Sequence, residues 1–190
     1  MFARTDRLVL RPGWREDAPT LAAAIGHKDI LRHLPRAPMP YRLEDAQEFL
    51  AAHNNPRLPV FLAFARTGGA PKLIGGCGVF RTEDDGHELA YWIARPYWGL
   101  GFATEAAQAV MSIARATGLQ RVRAAHALDN PASAKVLRKL GFHPTGRVEQ
   151  RHSRSRQESV PYALFEDAAM PLLPVDMADK LYKDRPLIAA

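Results

Sequence analysis

Cysteine is almost missing from this chain: Cys77 is the only one in 190 residues. A single cysteine forms no internal disulfide and cannot build a cysteine-based zinc site. Its neighbours, Gly75-Gly76-Cys77-Gly78-Val79, read as a buried strand in which the thiol packs as a small hydrophobe and not as a nucleophile. No His-Glu-x-x-His occurs, so no catalytic metal is expected. No apolar run approaches the roughly 20 residues of a membrane helix, and Met1 to Arg11 lacks the apolar centre of a secretion signal. These absences predict a cytoplasmic protein with no membrane partner. Internal repeats and low-complexity blocks are absent too.

What is present is enough for one domain with a full core, at 47% hydrophobic residues over 190 positions. The formal charge of +6 and a pI of about 9.8 favour an anionic partner. The most informative stretch runs from Glu88 to Glu105. Glu88 to Ala94 is rich in aromatic and aliphatic side chains and reads as a strand, which Pro96 ends because it cannot donate to a ladder. Gly99 and Gly101 make a sharp turn. Beyond them Ala103, Ala106, Ala107, Val110, Met111 and Ala114 fall on one face of a helix. The first turn of such a helix has unpartnered N–H groups and a positive dipole end, and a strand delivering it into a cleft makes an anion site. A nucleotide P-loop would end in Gly-Lys-Ser/Thr, and this turn has no lysine; in the dinucleotide fingerprint the third glycine would fall on Glu105.

The rest of the chain reads in order as a strand at Leu8–Leu10, helices over Trp14–Ile25, Asp29–Leu34 and Leu43–His53, and apolar strands over Val60–Arg66 and Leu73–Phe80. Asp17 and Glu16 suit the first helix start, and Asn54-Asn55-Pro56 ends the third. Thr67-Gly68-Gly69-Ala70-Pro71 connects the strand pair as a hairpin, and Glu83-Asp84-Asp85-Gly86 turns into the Glu88 strand. After the glycine-turn helix come a strand over Leu119–Ala127, a helix over Ala132–Leu140 capped by Asp129 or Asn130, a sixth strand from Phe142, and a last strand over Val160–Glu166. Three antiparallel strands followed by strand–helix–strand predict a mixed sheet with helices on both faces and one parallel pair, whose carboxyl ends open a ligand cleft.

Two stretches carry a family resemblance. Trp98-Gly99-Leu100-Gly101-Phe102-Ala103 resembles the coenzyme A pyrophosphate loop of the GNAT N-acetyltransferases, Gln/Arg-x-x-Gly-x-Gly/Ala, with Trp98 at the Gln/Arg position. Asn130-Pro-Ala-Ser133 through Gly141-Phe142 resembles the second hallmark of the same family, in the expected order and about thirty residues on. The Trp-Gly-x-Gly-Phe-Ala-Thr-Glu-Ala form is similar to the RimJ/RimL-like branch, the ribosomal-protein N-terminal acetyltransferases. The resemblance spans Thr5 to about Ala168 and implies an α/β GNAT fold. That fold is an αβα sandwich with a mostly antiparallel, roughly seven-stranded mixed sheet and a parallel strand pair forming the acetyl-CoA cleft. It would occupy residues 1–170, with 171–190 as a C-terminal tail.

The activity so implied is direct acetyl transfer from acetyl-CoA, as cosubstrate, to an amine. The acceptor is a peptide N-terminus or a small amine such as a polyamine, amino acid or aminoglycoside; a non-catalytic acyl-CoA binding module is the reading from another class. The main-chain amides of Trp98, Gly99, Leu100, Gly101, Phe102, Ala103 and Thr104 would hold the diphosphate, and Asn130 the pantetheine arm. Backbone N–H groups of Tyr91, Trp92, Ile93 and Ala94 would face the developing oxyanion. Glu88, on the strand flanking the acetyl group, is the first candidate base, with Glu149 and an ordered water as alternatives; a structural pairing of Glu88 with an arginine has equal weight. On strict alternation Glu88, Ala90 and Trp92 share a face, unless a bulge common in the resembling family intervenes.

For the thiolate, the tyrosine position of many GNAT enzymes holds Leu137, and Ser133 is the donor of the branch the chain resembles. Ser133 is equally a good helix-start residue. Glu105 is expected to point away from the phosphates and support the helix start, and His87 and His126 are expected to be structural. The basic run Arg147, Arg151, His152, Arg154, Arg156 could meet an acidic peptide, RNA or the coenzyme's 3′-phosphate, and reads equally as a solvated loop. It has no aromatic interleaving, so nucleic acid is not the expected partner. The chain is expected to be a monomer or homodimer.

Overall fold

The computed structural model describes residues 1–53, 57–66 and 69–167. In chain order the elements are β1 (Ala3–Arg4), β2 (Leu8–Arg11), α1 (Ala18–Ile25), α2 (Lys28–Leu31), α3 (Leu43–Ala52), β3 (Val60–Ala65), β4 (Lys72–Arg81), β5 (His87–Ile93), α4 (Phe102–Ala116), β6 (Val122–Ala127), α5 (Pro131–Lys139), β7 (Phe142–Ser153) and β8 (Glu158–Asp167). The strands form one sheet in the order β1-β2-β3-β4-β5-β6-β8-β7. Among the described residues only β5 and β6 run parallel, and every other neighbouring pair is antiparallel.

The layers follow from alternation. In β3, Phe61, Ala63 and Ala65 enter one core and Leu62 and Phe64 another, so both faces of the strand are buried. One core gathers α1, α2 and α3 through Leu21, Ile25, Ile30, Leu31, Ala46 and Leu50. The other gathers α4 and α5, where Ala106, Ala107, Val110, Met111 and Ala114 lie on the face that the i, i+3, i+4 spacing predicts. Helices on both faces of a mixed sheet are the αβα sandwich the sequence implied.

Several boundaries differ from the sequence reading, each for a local reason. The sheet has eight strands rather than roughly seven because Ala3–Arg4 pairs with Val9–Leu10, a two-residue strand too short to show periodicity. The first helix begins later: Arg15–Asp17 form a 3₁₀ turn in which the Asp17 carboxylate accepts the Trp14 N–H at 2.7 Å, and Pro19 then opens α1. β6 begins at Val122, after Arg121 takes a left-handed φ of 55°. The basic run is not a loop. Most of it is β7, paired with β8 from Phe142↔Asp167 to Ser153↔Glu158. The expected stop at Asn54-Asn55-Pro56, the Thr67-Gly68 part of the hairpin and the 171–190 tail lie outside the described residues.

The Gly75-Gly76-Cys77-Gly78 stretch is buried strand, as expected. Gly76 is required by close approach: a Cβ there would sit 2.6 Å from the Trp92 indole nitrogen. Cys77 is buried in the α4-side core, and burial pushes its thiol pKa up, so it stays protonated and unreactive.

Met111 anchors α4 on the sheet with 2% of its surface exposed. Met111→Ala is expected to cost about 2–5 kcal/mol of stability through the cavity it leaves, read as a lower urea midpoint at unchanged m-value.

Candidate active site

The site begins where the sheet stops pairing. β5 and β6 are in register over His87↔Val122, Glu88↔Arg123 and Leu89↔Ala124 and no further. Beyond that point Ala125 to Ala127 pair with β8, and β5 keeps only β4 as neighbour. The register of β5 on β4 is unbroken from His87 to Ile93, so the expected bulge is absent from β5; the irregularity falls between β3 and β4 instead. Alternation therefore holds, with Glu88 and Trp92 on the α1–α3 face and Leu89 and Tyr91 on the α4–α5 face. It also sorts the main chain. The Ala94 N–H donates to Ile74 O at 2.7 Å, and by the two-residue repeat the Trp92 N–H also faces β4. Of the four amides expected at the oxyanion, those of Tyr91 and Ile93 face the gap, while those of Trp92 and Ala94 are turned to β4.

At the end of β5 a 3₁₀ turn, Arg95–Tyr97, leads into the glycine loop. Gly99 and Gly101 have φ of 75° and 82°, which a side chain tolerates poorly, and no atom lies within 4 Å of where a Gly99 Cβ would sit. The loop thus presents bare backbone to open space directly before the N-terminus of α4. Trp98, at the Gln/Arg position of the family motif, serves the fold: its Nε1–H donates to Ile93 O at 2.6 Å and staples the turn to β5. Glu105 turns to the β1–β2 turn, where its carboxylate accepts from Thr5 Oγ1, the Arg7 N–H and the Arg7 guanidinium. Those donors hold its carboxyl below the usual carboxylate range against the opposing effect of burial.

Across the gap stands the N-terminus of α5. Asn130 caps it, its Oδ1 accepting the Ser133 N–H at 3.3 Å. Ser133 Oγ lies 2.8 Å from the Tyr91 hydroxyl, which also donates to Ser133 O at 3.1 Å. Sequence reading sought a tyrosine donor on α5, found Leu137, and assigned Tyr91 only a backbone role; Leu137 is buried in the core. The phenol comes instead from β5. Its signal was available: odd positions of β5 face the side on which a right-handed crossover places the next helices. Burial pushes the Tyr91 pKa up, outweighing the Ser133 hydrogen bond that lowers it, so the hydroxyl keeps its proton at neutral pH.

On the opposite face Glu88 is held by Arg151 of β7 in a two-pronged pair, 2.9 and 2.8 Å, and Glu149 lies 3.4 Å from the same guanidinium. Both candidate bases thus meet one arginine from the basic run. The other arginines are engaged as well: Arg147 with Glu166, Arg156 with Asp129 and with Arg32 O, and Arg154 through its N–H with Pro35 O. Asp129 also pairs with Arg32 at 2.9 Å, tying the β7–β8 turn to the end of α2 beside the α5 cap. Ser155 adds a buried hydrogen bond to Leu31 O at 2.8 Å. Among the described residues, Tyr162 Oη and His33 Nδ1, near this network, are buried without a hydrogen-bond partner. His126 is buried beside Phe165, with Nδ1 2.8 Å from Ala127 O. Among the described residues no cluster of His, Cys, Asp and Glu could hold a metal ion, and no helix is long and apolar enough to cross a membrane.

Comparison with known proteins agrees with this geometry. A family profile described as "Acetyltransferase (GNAT) domain" matches residues 7–143. The N-acetyltransferase YoaA of Bacillus subtilis strain 168, itself uncharacterized, is 32% identical over 154 residues, covering 77% of this chain and 85% of that protein. Among solved structures, a GNAT-family acetyltransferase from Bacillus anthracis superposes with a TM-score of 0.73 at 20% identity, covering 87% of this chain and 97% of the other. RimL, a ribosomal L7/L12 α-N-protein acetyltransferase solved with coenzyme A, gives a TM-score of 0.74 at 17% identity with the same coverage. At those identities the structural likeness speaks for the fold.

The Asp129 network has a pH signature. The Arg156 hydrogen bond, followed by opposing burial and attraction to both arginines, holds the Asp129 carboxyl below its usual range. A depressed carboxylate adds stability above its unfolded pKa of about 3.9 and loses it as the pH falls through the folded value. The stability difference between wild type and Asp129→Asn should therefore be constant from pH 7 to 5 and shrink below about pH 4, measured as urea midpoints across pH.

Proposed function

The chain belongs to the acetyltransferase (GNAT) family and is an acyltransferase, and from that premise we propose that it moves an acetyl group from acetyl-coenzyme A directly to a primary amine, a protein N-terminal α-amine. The observation that carries the cosubstrate is the gap between β5 and β6, which ends on the left-handed Gly99–Gly101 backbone at the start of α4. Acetyl-coenzyme A supplies an activated thioester, a long polar arm and a diphosphate. The gap offers main-chain groups for the arm, and the amides from Gly99 to Thr104 suit the diphosphate, whereas the expected Trp98 N–H is taken by Arg95 O at 3.2 Å in the preceding 3₁₀ turn. Asn130 uses Oδ1 for its cap and has its amide nitrogen for a carbonyl of the arm.

The chain's own groups then divide the proton work. The Tyr91 and Ile93 amides on the gap edge suit the charge that develops on the acetyl oxygen. The Tyr91–Ser133 pair keeps a proton in a buried position and delivers it to the departing sulfur. Glu88 faces the side where an acceptor would enter. Each of its oxygens already accepts one bond from Arg151, and each has a further lone pair. Glu88 thus binds the ammonium and lowers the cost of passing its proton to water. An α-amine, with a pKa near 7.7–8.0, asks far less of a carboxylate or water base than a lysine near 10.4. That difference, with the fold shared with a ribosomal-protein α-N-acetyltransferase, favours the N-terminal acceptor.

Tyr91→Phe and Ser133→Ala should each lower kcat about 10- to 100-fold, and the double variant little more, because the pair acts as a unit. Glu88→Gln should lower kcat and shift the alkaline rise of the pH–rate profile. Unchanged rates and profiles would remove these roles. Gly101→Val should weaken coenzyme A at least tenfold by calorimetry, since it adds strain and bulk where the phosphates approach. A free-thiol screen over peptides, polyamines, amino acids and aminoglycosides identifies the acceptor; coenzyme binding without turnover on any of them would favour a non-catalytic binding module.

A further inference from the structure

The glycine loop, Trp98 to Thr104, contains no lysine or arginine, and the next residue is the carboxylate Glu105 in the first turn of α4. Left bare, that charge would oppose any phosphate at the helix end. The structure answers with a residue 98 positions away. Arg7, in the β1–β2 turn, binds Glu105 Oε2 through Nε and Nη2, both at 2.7 Å. Its Nη1 donates to Leu100 O at 2.9 Å, inside the loop itself. The guanidinium stacks 4.3 Å over the Phe102 ring, and its Nη2 lies 3.5 Å from where a Gly101 Cβ would sit. The side chain is 48% exposed, so it is not sealed beneath the loop.

A guanidinium has five N–H bonds. One at Nε, one at Nη1 and one at Nη2 are engaged by Glu105 and Leu100. The second N–H on each terminal nitrogen remains, and Nη2 flanks Gly101. We infer that Arg7 is a coenzyme-binding residue supplied from outside the loop: it neutralises Glu105, fixes the Leu100 carbonyl inward, and offers its two remaining N–H bonds to the coenzyme's phosphates. The inference rests on the acetyl-coenzyme A reading and adds a residue to it. It also gives Glu105 a purpose: with Thr5 and the Arg7 N–H on its other oxygen, the carboxylate orients the guanidinium as a second-layer anchor.

The test separates charge at the phosphates from support of the fold. Arg7→Ala should raise the calorimetric Kd for coenzyme A at least tenfold. Its kcat/KM for acetyl-coenzyme A should fall by a similar factor, with kcat at saturation and kcat/KM for acetyl-pantetheine, which has no diphosphate, within twofold of wild type. Arg7→Ala/Glu105→Gln should recover part of the lost affinity, because it removes the exposed carboxylate. Arg7→Lys should fall between, retaining charge without the fork. An unchanged coenzyme A Kd in Arg7→Ala, equal losses with both thioesters, or no recovery in the double variant would each overturn the inference while leaving the acetyltransferase reading intact. Failure of the wild-type protein to bind coenzyme A would overturn both.

Discussion

The arrangement depends on one interruption: the parallel ladder between β5 and β6 ends at Leu89 and Ala124. Main-chain polar groups inside a protein are almost always paired, so an edge opened in the middle of a sheet must find other partners. On the β6 side Ala127 O accepts the Asn130 N–H at 2.8 Å, while the other edge of the strand stays paired with β8. On the β5 side the odd-numbered groups face the gap, where Trp98 Nε1 meets Ile93 O and leaves the others to a ligand or water. The Tyr91 hydroxyl reaches over to Ser133 and ties the two lips together at the point where they diverge. The start of α4 follows β5 through the glycine loop, and the start of α5 touches β5 through Ser133 and Tyr91, so both border the same gap.

The charge distribution refines what composition suggested. A net +6 and a run of arginines invite an anionic macromolecule as partner. In the fold the run is largely a strand whose arginines are individually engaged by Glu88, Glu166 and Asp129 or by the carbonyls at the end of α2. The exposed pair among these, Arg147–Glu166, contributes little to stability. The effect of these contacts is positional, because they fix the β7–β8 hairpin against the face that carries Glu88. Arg7 and Glu105 do the same for the glycine loop at the end of the gap.

The fold was largely legible because its signals are local. Near-continuous apolar runs marked β3 and β4, the i, i+3, i+4 face marked α4, and Pro96, Gly99, Gly101, Asn130 and Gly141 punctuated the chain. Local signals failed where an element was very short, as in Ala3–Arg4, or where polar side chains hid a strand, as in β7. In the site, the glycine loop and the capped α5 start were readable from residue type and spacing. Glu88 stood between two roles on sequence, and its Arg151 partner shows that the structural pairing is present whatever its chemistry.

The sequence by itself determined the order of elements, the left-handed turn before α4 and the family to which both motifs point, since each follows from residues adjacent in the chain. Only the tertiary structure decided that Tyr91 meets Ser133 across 42 residues, Glu88 meets Arg151 across 63, and Glu105 meets Arg7 across 98. Periodicity tells which face a side chain occupies. It carries no record of which distant side chain arrives on that face, and in this protein those arrivals decide which polar groups stand at the gap and beside the glycine loop.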